Sequence, residues 1–169
     1  MINKKYIINY LNSMYKKHFH LVIFALALLM FQQKSFANAD TKTMLLTHKT
    51  PTCGCCKEWV KYAKDNGFNV HTQDHKNLED IKKMYAIKPE YRSCHTTISS
   101  NGFIFEGHIP AKYITQFLSE DHPNAIGLSV PGMPLGSPGM EFDDRFTPYN
   151  ILIIFNDGSS EIYAEILSK

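Results

Sequence analysis

Short apolar segments separated by polar turns follow one another from Met44 to the end of the chain. The first of them, Met44 to His48, is too short for a helix and therefore predicts a buried strand. The next segment has a helical period, with apolar residues on one face and charged residues elsewhere. Those apolar residues are Trp59, Val60 and Ala63. Gly67 follows at the position where a residue of left-handed conformation commonly ends a helix.

The alternation of strands and helices continues downstream. Further strands are predicted at residues 68–71, 97–99, 103–106, 151–155 and 162–166, the last four forming two hairpins. Two helices are predicted between them, one capped by Asn77 and one whose first turn accommodates Pro110. Their inward-facing residues are Leu78, Ile81 and Met84 in the first helix and Tyr113, Ile114, Phe117 and Leu118 in the second. The order β-α-β-α-β-β-α predicts an α/β (α+β) protein with a thioredoxin-like fold, extended by a C-terminal loop and β-hairpin.

The first 39 residues have the three parts of a secretory signal peptide. A basic flank precedes the apolar run Leu21 to Phe31, and Ala37-Asn38-Ala39 provides the small residues of a cleavage site. The run of about 11 apolar residues is short of the roughly 20 that span a bilayer, although a retained anchor is the alternative. We therefore expect cleavage after Ala39, a single periplasmic domain over residues 40–169 and no stable membrane span. The start stays open between Met1 and Met14, because the segment from Met14 resembles a compact signal by itself.

The charge of the chain divides between these two parts. Residues 1–39 contain five lysines and no acidic residue, whereas the remainder has 13 basic and 16 acidic residues. The domain is therefore mildly acidic, and the positive net charge of the whole chain comes from residues 1–39. A mildly acidic domain does not have the basic surface that nucleic-acid binding requires.

Four cysteines lie in the exported part, at Cys53, Cys55, Cys56 and Cys94. Export places them in a compartment where paired thiols tend to be oxidised, so two plain disulfides are one interpretation. Their uneven spacing favours a different interpretation, in which the cysteines form a reactive or metal-binding site. Cys53 and Cys56 form a CxxC where the first strand meets the first helix, and the positive end of the helix lowers the pKa of thiols placed there. Such thiolates are good nucleophiles or good ligands for a soft metal.

Three features of the sequence favour the metal. Cys55 is a third thiol inside the pair, which an oxidoreductase does not need and a multinuclear thiolate site can use as a bridge. The loop entering the third strand, which in thioredoxins carries a cis-proline facing the CxxC, here holds Cys94 and His95. Met133 and Met140 lie in a Gly/Pro-rich loop from Gly127 to Glu141, where a core-filling side chain is not expected. Thiolate, imidazole and thioether together select copper, above all Cu(I).

Each candidate also has an interpretation without metal. His95 could be a hydrogen-bonded loop residue, His108 could cap the helix that follows it, and Met133 and Met140 could fill apolar gaps. His48 fits a core position, and three further histidines fit the surface: His71, His75 and His122. At the level of function, a thiol–disulfide oxidoreductase would use Cys53 as attacking thiolate and Cys56 as resolver. A structural zinc site would use the thiols and an imidazole but leave the methionines idle.

Four motifs, PTCGCCKEWV, SCHT, EGHIPA and VPGMPLGSPGME, occur in an order and spacing that closely resemble the exported family known as domain of unknown function 411. The resemblance extends from Met44 nearly to the end of the chain. It implies a thioredoxin-like fold and copper binding in the periplasm, with copper ions and other copper-handling proteins as partners. Carried over residue by residue, it points to these metal ligands: Cys53, Cys55, Cys56, Cys94, His95, His108, Met133 and Met140.

Overall fold

The computed structural model describes residues 42–169 of the chain. The predicted signal peptide, residues 1–39, and its cleavage site lie outside this part. Among the helices of the described part, none is long and apolar enough to cross a membrane.

Strands and helices alternate through the first two thirds of this part, and strands follow. The strands are β1 Met44–Lys49, β2 Asn69–Asp74, β3 Thr96–Ser99, β4 Ile104–Glu106, β5 Ala125–Ser129, β6 Tyr149–Phe155 and β7 Ser160–Ile166. The helices are α1 Gly54–Asp65, α2 Glu79–Met84 and α3 Ala111–Ser119, with a 3₁₀ turn at Pro89–Tyr91. The predicted mixed α/β class is confirmed, and the elements up to α3 occur in the predicted order.

The strands form one sheet in the order β2-β1-β3-β4-β5-β6-β7. The pairs β1–β2 and β4–β5 are parallel, and each is connected through a helix, as a parallel pair requires. The other neighbouring pairs are antiparallel. In this register Thr96 at the start of β3 lies between His48 near the end of β1 and Glu106 at the end of β4. The segments that leave these three strand ends therefore meet at one edge of the sheet.

Apolar residues cover both faces of the sheet, because side chains alternate along each strand. The larger cluster lies beneath α1 and α3 and contains Trp59, Phe105 and Phe117, all fully buried. The predicted inner face of α1 is confirmed, and Gly67 follows the helix with a φ of +94°. A smaller cluster on the opposite face is formed by Ile87, Tyr91, Ile104 and Ile154.

Helix α2 differs from its predicted pattern. Met84, expected inside, is 72% exposed, whereas Lys82 is buried. The Asn77 side chain accepts a hydrogen bond from the backbone N–H of Glu79, as a cap would, although Leu78 occupies the N-cap position. The helix has six residues, so apolar periodicity gives little information about its orientation. A buried carboxylate on β4 orients it instead, through Lys82.

Strand β5 occupies what the sequence predicted to be the beginning of the Gly/Pro-rich loop. Residues 127–129 pair with β4 on one side and β6 on the other, and Leu128 is fully buried. A five-residue strand containing a glycine has a weak local signal, and its partners are distant in the chain. The loop from Gly127 to Glu141 was therefore predicted too long at its N-terminal end.

Candidate metal centre

The CGCC motif lies at the junction between β1 and α1, as predicted. Cys53 is the N-cap residue of the helix, and its Sγ accepts the backbone N–H of Cys56 at 3.3 Å. A sulfur atom in this position lies at the positive end of the helix dipole. Cys53 and Cys56 are joined as a disulfide, while Cys55 and Cys94 are free thiols.

Cys94 approaches the CGCC motif from the segment that precedes β3. Its Sγ lies 3.4 Å from that of Cys56 and 3.8 Å from that of Cys55, and Cys55 lies 3.5 Å from Cys53. All four sulfur atoms fall within 4.8 Å of one another. The thiol that is distant in sequence is thus brought across to the CxxC, as the sequence predicted.

A second group of donors shares Cys94 with the first. The Sγ of Cys94 lies 2.9 Å from Nε2 of His108 and 3.4 Å from Nδ1 of His95. Both imidazoles are fully buried. The second ring nitrogen of His108, Nδ1, is 2.7 Å from the carbonyl oxygen of Pro138. Because a carbonyl only accepts, Nδ1 carries the hydrogen and the lone pair of Nε2 faces Cys94, which is the usual arrangement of a metal-binding histidine.

Burial determines the protonation of this second group. It lowers the pKa of His108 and lowers that of His95 further, with the neighbouring His108 and Lys82 adding to the effect on His95. It also raises the pKa of the Cys94 thiol to about 12, and Cys55 adds to that shift. Without metal the imidazoles are therefore neutral and Cys94 keeps its proton at neutral pH. A metal that binds here displaces that proton, so binding is coupled to pH.

The Gly/Pro-rich loop contacts residues of both groups. Its Pro138 holds His108, and its Gly139 packs against the first turns of α1 with a φ of +79°. A Cβ atom at Gly139 would lie 2.7 Å from the backbone oxygen of Cys55, so only glycine fits this approach. At the other end of the loop, the N–H of Gly132 donates to the Arg92 carbonyl at 3.0 Å, and the hydroxyl of Ser93 donates to the carbonyl of Gly132.

The two methionines of the loop occupy different environments. Met140 is half-buried and, together with Cys55, lines a cavity of about 290 Å³ between the loop and α1. Met133 is 53% exposed and follows Gly132, beside the segment that carries Cys94. Of the two thioethers, Met140 is therefore the one that the fold places in a cavity shared with a thiol.

The other histidines among residues 42–169 range from buried to exposed. His48 is buried, as expected, and its Nδ1 lies 2.9 Å from Nε2 of the half-buried His75. His71 is exposed, as predicted. His122, expected at the surface, instead stacks on Phe117 with the ring centroids 4.2 Å apart. Its side chain is 15% exposed and its Nε2 lies 3.0 Å from a carboxylate oxygen of Glu120, so the residue lies at the margin of the core beneath α3.

Four contacts of the site were not predicted from the sequence. The ring of Trp59, assigned only to the core, lies 4.6 Å from that of His95, and its indole N–H donates to the Ile109 carbonyl at 3.0 Å. The carbonyl of Pro138 orients His108. Lys82 and Glu106 form an ion pair beneath the Cys94 segment. A backbone carbonyl has no signature in sequence, and an isolated lysine or glutamate predicts a solvated side chain.

Comparisons with known proteins place the chain in a family. The family model described as "Protein of unknown function, DUF411" matches residues 91–140, which include Cys94, His95, His108, Met133 and Met140. Two solved structures, named "Copper resistance protein copG" forms 2 and 1, share 34% sequence identity with the chain at TM-scores of 0.70 and 0.69. Each alignment covers 74% of this chain and 98% of that one. None of the curated proteins compared with the chain matches it. Because the identity extends over nearly the whole of those relatives and the family model covers the segment that bears the second donor group, this chain belongs to the DUF411 family.

Proposed function

We propose that this protein binds Cu(I) in a thiolate-bridged centre and serves copper resistance or copper handling in the periplasm. One observation carries the proposal: Cys94 belongs both to a group of four sulfur donors and to a group with two buried imidazoles. Once deprotonated, a thiolate shared in this way would be able to bridge metal ions held by the two groups. The copper-resistance names of the two structural relatives support the choice of metal.

The donor set fits copper. Thiolate sulfur is a soft ligand that favours Cu(I), and neutral imidazole suits copper in either oxidation state. Both imidazoles are held neutral by burial, which is the form that binds metal. Nε2 of His95 is one of three buried side-chain nitrogens without a hydrogen-bond partner in the described part of the chain, and it is the one that lies within the donor groups, where a metal could supply the missing partner. These residues therefore provide what a copper centre requires.

The number of donors favours more than one ion. The two groups together contain Cys53, Cys55, Cys56, Cys94, His95 and His108. This is more than a single tetrahedral ion takes, so a multinuclear centre bridged by thiolates uses the set more completely. Met140, and less directly Met133, would complete coordination from the loop. The mixture of soft and imidazole donors also supports redox activity between Cu(I) and Cu(II).

The proposal also includes a thioredoxin-like fold and a periplasmic location. The order β2-β1-β3-β4, with β1 parallel to β2 and antiparallel to β3, supports a thioredoxin-like frame carrying the CxxC. The added strands then form its C-terminal extension. Residues 1–39 would direct export and be removed after Ala39. Intact mass and cell fractionation test this part: we expect a periplasmic chain that begins at Asp40, and recovery of the uncleaved chain with the membranes would contradict it.

A second candidate function is thiol–disulfide oxidoreductase. The disulfide between Cys53 and Cys56 favours it, as does the burial of Cys56, because a resolving cysteine is typically less accessible than the attacking one. In this function Cys53 would attack a substrate disulfide and Cys56 would release the product. Copper binding needs the same two sulfur atoms reduced, so the two functions compete for the same pair of atoms.

Metal content and thiol titration separate these functions. The protein is purified from the periplasm without chelator or reductant, and its copper, zinc and free thiols are counted. The reduced, metal-free protein is then titrated with Cu(I) against a chromogenic chelator. We expect more than one equivalent of copper per chain. Retained zinc with no copper would favour the structural zinc site, and a metal-free chain with the Cys53–Cys56 disulfide would favour the oxidoreductase.

A further inference from the structure

A buried ion pair lies beneath the segment that carries Cys94 and His95. Its partners are Lys82 of α2 and Glu106 at the end of β4, whose side chains are 7% and 0% exposed. Charges are rarely removed from water so completely unless they are paired and hydrogen-bonded. The pair lies outside both donor groups, so metal binding by itself does not explain it.

The hydrogen bonds of Glu106 explain what the pair holds. Its Oε1 accepts the backbone N–H of Ser93 at 2.6 Å and the ammonium group of Lys82, and its Oε2 accepts the hydroxyl of Thr96 at 2.7 Å. Lys82 also donates to Oγ1 of Thr96 at 3.2 Å. The single hydroxyl hydrogen of Thr96 thus goes to Glu106 while its oxygen accepts from Lys82, which makes the network consistent.

Ser93 and Thr96 bracket the two donor residues between them. One carboxylate therefore holds both ends of the four-residue segment that contains Cys94 and His95. A backbone hydrogen bond also links this segment to the residue after Glu106, because the N–H of Gly107 donates to the His95 carbonyl at 3.0 Å. His108, the other imidazole, follows two residues after Glu106.

We propose that Glu106 is a positioning residue of the copper centre and that Lys82 is the partner that keeps its carboxylate charged and oriented. The inference rests on the proposed copper function. A buried ion pair is weak evidence for stability, since apolar residues of similar volume often replace one without loss. Groups that orient metal ligands from outside the coordination sphere typically change metal affinity by about 10- to 100-fold when they are removed.

Two double variants separate positioning from folding. Lys82→Met/Glu106→Leu removes the charges and the acceptor of the Ser93 N–H, whereas Lys82→Met/Glu106→Gln removes the charges and keeps a side-chain carbonyl for that N–H. Neither leaves a lone buried charge. We expect the dissociation constant for Cu(I) to rise about 10- to 100-fold in the leucine variant and to stay near the wild-type value in the glutamine variant.

Asp74→Asn is the matched control. It alters the partner of Lys49, another buried lysine on the same sheet, which bonds to Asp74 at 2.5 Å and to the Thr50 carbonyl. We expect unchanged Cu(I) affinity in this variant. X-ray absorption at the copper edge supplies a signature that stability alone would not change: nitrogen scattering should weaken in the leucine variant and persist in the glutamine variant.

Amide hydrogen exchange of the metal-free protein tests the hydrogen bond between the Ser93 N–H and Glu106 directly. The Ser93 amide should exchange slowly with solvent in the wild type and the glutamine variant, and faster in the leucine variant. Equal Cu(I) affinity and equal copper spectra in the two double variants would overturn the positioning role. If the wild type binds no copper, the proposed function itself fails, and that result is distinct because it appears before any substitution is made.

Discussion

The thiolate side and the imidazole side of the centre are built in opposite ways. Three of the four thiols come from one tetrapeptide at the start of α1, and Cys53 and Cys55 are partly exposed. The imidazoles come from separate segments and are fully buried, with His108 held by a carbonyl from a third segment. The sulfur atom of Cys94 belongs to both sides.

This difference has chemical consequences. Cys53 and Cys55 are partly exposed next to a helix N-terminus, where their sulfur atoms can be oxidised, reduced or loaded with metal, whereas Cys56, the partner of Cys53 in the disulfide, is fully buried. The buried imidazoles are neutral and already oriented before metal binds. We therefore expect the thiolate side to respond to redox conditions and the imidazole side to respond to pH and to packing.

The largest effect is expected where the two sides meet. Cys94→Ala removes the only sulfur common to both donor groups, so both should lose metal. We expect a lower copper stoichiometry and a Cu(I) affinity reduced by at least about 100-fold. A loss of about 100-fold is the largest that is typical for removing a residue that only orients a metal ligand, and Cys94 is proposed to be a ligand itself. Titration against a chromogenic Cu(I) chelator measures both quantities. Cys55→Ala is the control, because it affects the thiolate side alone; unchanged stoichiometry in Cys94→Ala would show that Cys94 is structural.

The imidazole side should make the metal-free protein acid-sensitive. Burial lowers the pKa of His95 and His108 below the ordinary value of 6.5, so below pH 6.5 the unfolded chain binds protons that the native chain does not. The free energy of unfolding then falls as the pH falls, by up to about 1.4 kcal/mol per pH unit for each histidine. Urea unfolding at pH 7.5 and 5.5 measures this. The substitutions His95→Gln and His108→Gln should flatten the profile, and a flat wild-type profile would contradict the argument.

The shared thiol should show the opposite dependence at alkaline pH. The pKa of Cys94 is raised from 9.0 to about 12, so between these values the native chain holds a proton that the unfolded chain has lost. The stability contributed by this group is therefore complete below pH 9 and is lost as the pH rises above it. Unfolding of the metal-free protein with its Cys53–Cys56 disulfide intact, measured at pH 8 and pH 10, tests this, with Cys94→Ala as the variant that should lack the alkaline component.

The thiolate side can also be tested as an enzyme. We expect the reduced, metal-free protein to reduce insulin disulfides far more slowly than a thioredoxin, because in the proposed thioredoxin-like frame Cys94 and His95 would occupy the region where a thioredoxin binds its substrate. A standard turbidity assay measures the rate. Activity that rivals a thioredoxin would make the oxidoreductase the leading function and copper binding the secondary one.

The smallest effect is expected at the Gly/Pro-rich loop, which contacts both sides. Met133→Leu/Met140→Leu keeps volume and apolarity while removing the thioether sulfurs. A thioether is a weak neutral donor, so we expect Cu(I) affinity to fall by no more than about tenfold, or about 1.4 kcal/mol, and zinc affinity to stay unchanged. Met140→Leu alone should account for most of the loss, since Met140 shares a cavity with Cys55. Wild-type Cu(I) affinity and air-oxidation rate in the double variant would remove both methionines from the ligand set.

The local parts of this protein could be predicted from sequence. The CxxC at a strand–helix junction, the buried face of α1 and the hairpins each depend on residues close in the chain, so apolar period and turn residues were enough. The convergence of Cys94 on Cys53, Cys55 and Cys56 followed from the predicted order of elements. The candidate donor residues were predicted from residue type and from the motifs of the family.

Tertiary structure alone decided the rest. Lys82 is buried because Glu106 lies opposite it, although the two are 24 residues apart. Strand β5 exists because β4 and β6 flank it, and His108 faces Cys94 because the Pro138 carbonyl holds its other nitrogen. Each of these depends on a hydrogen bond or ion pair between distant segments. Such a contact becomes strong only when folding has excluded water from it. The pattern of residues along the chain therefore does not predict it.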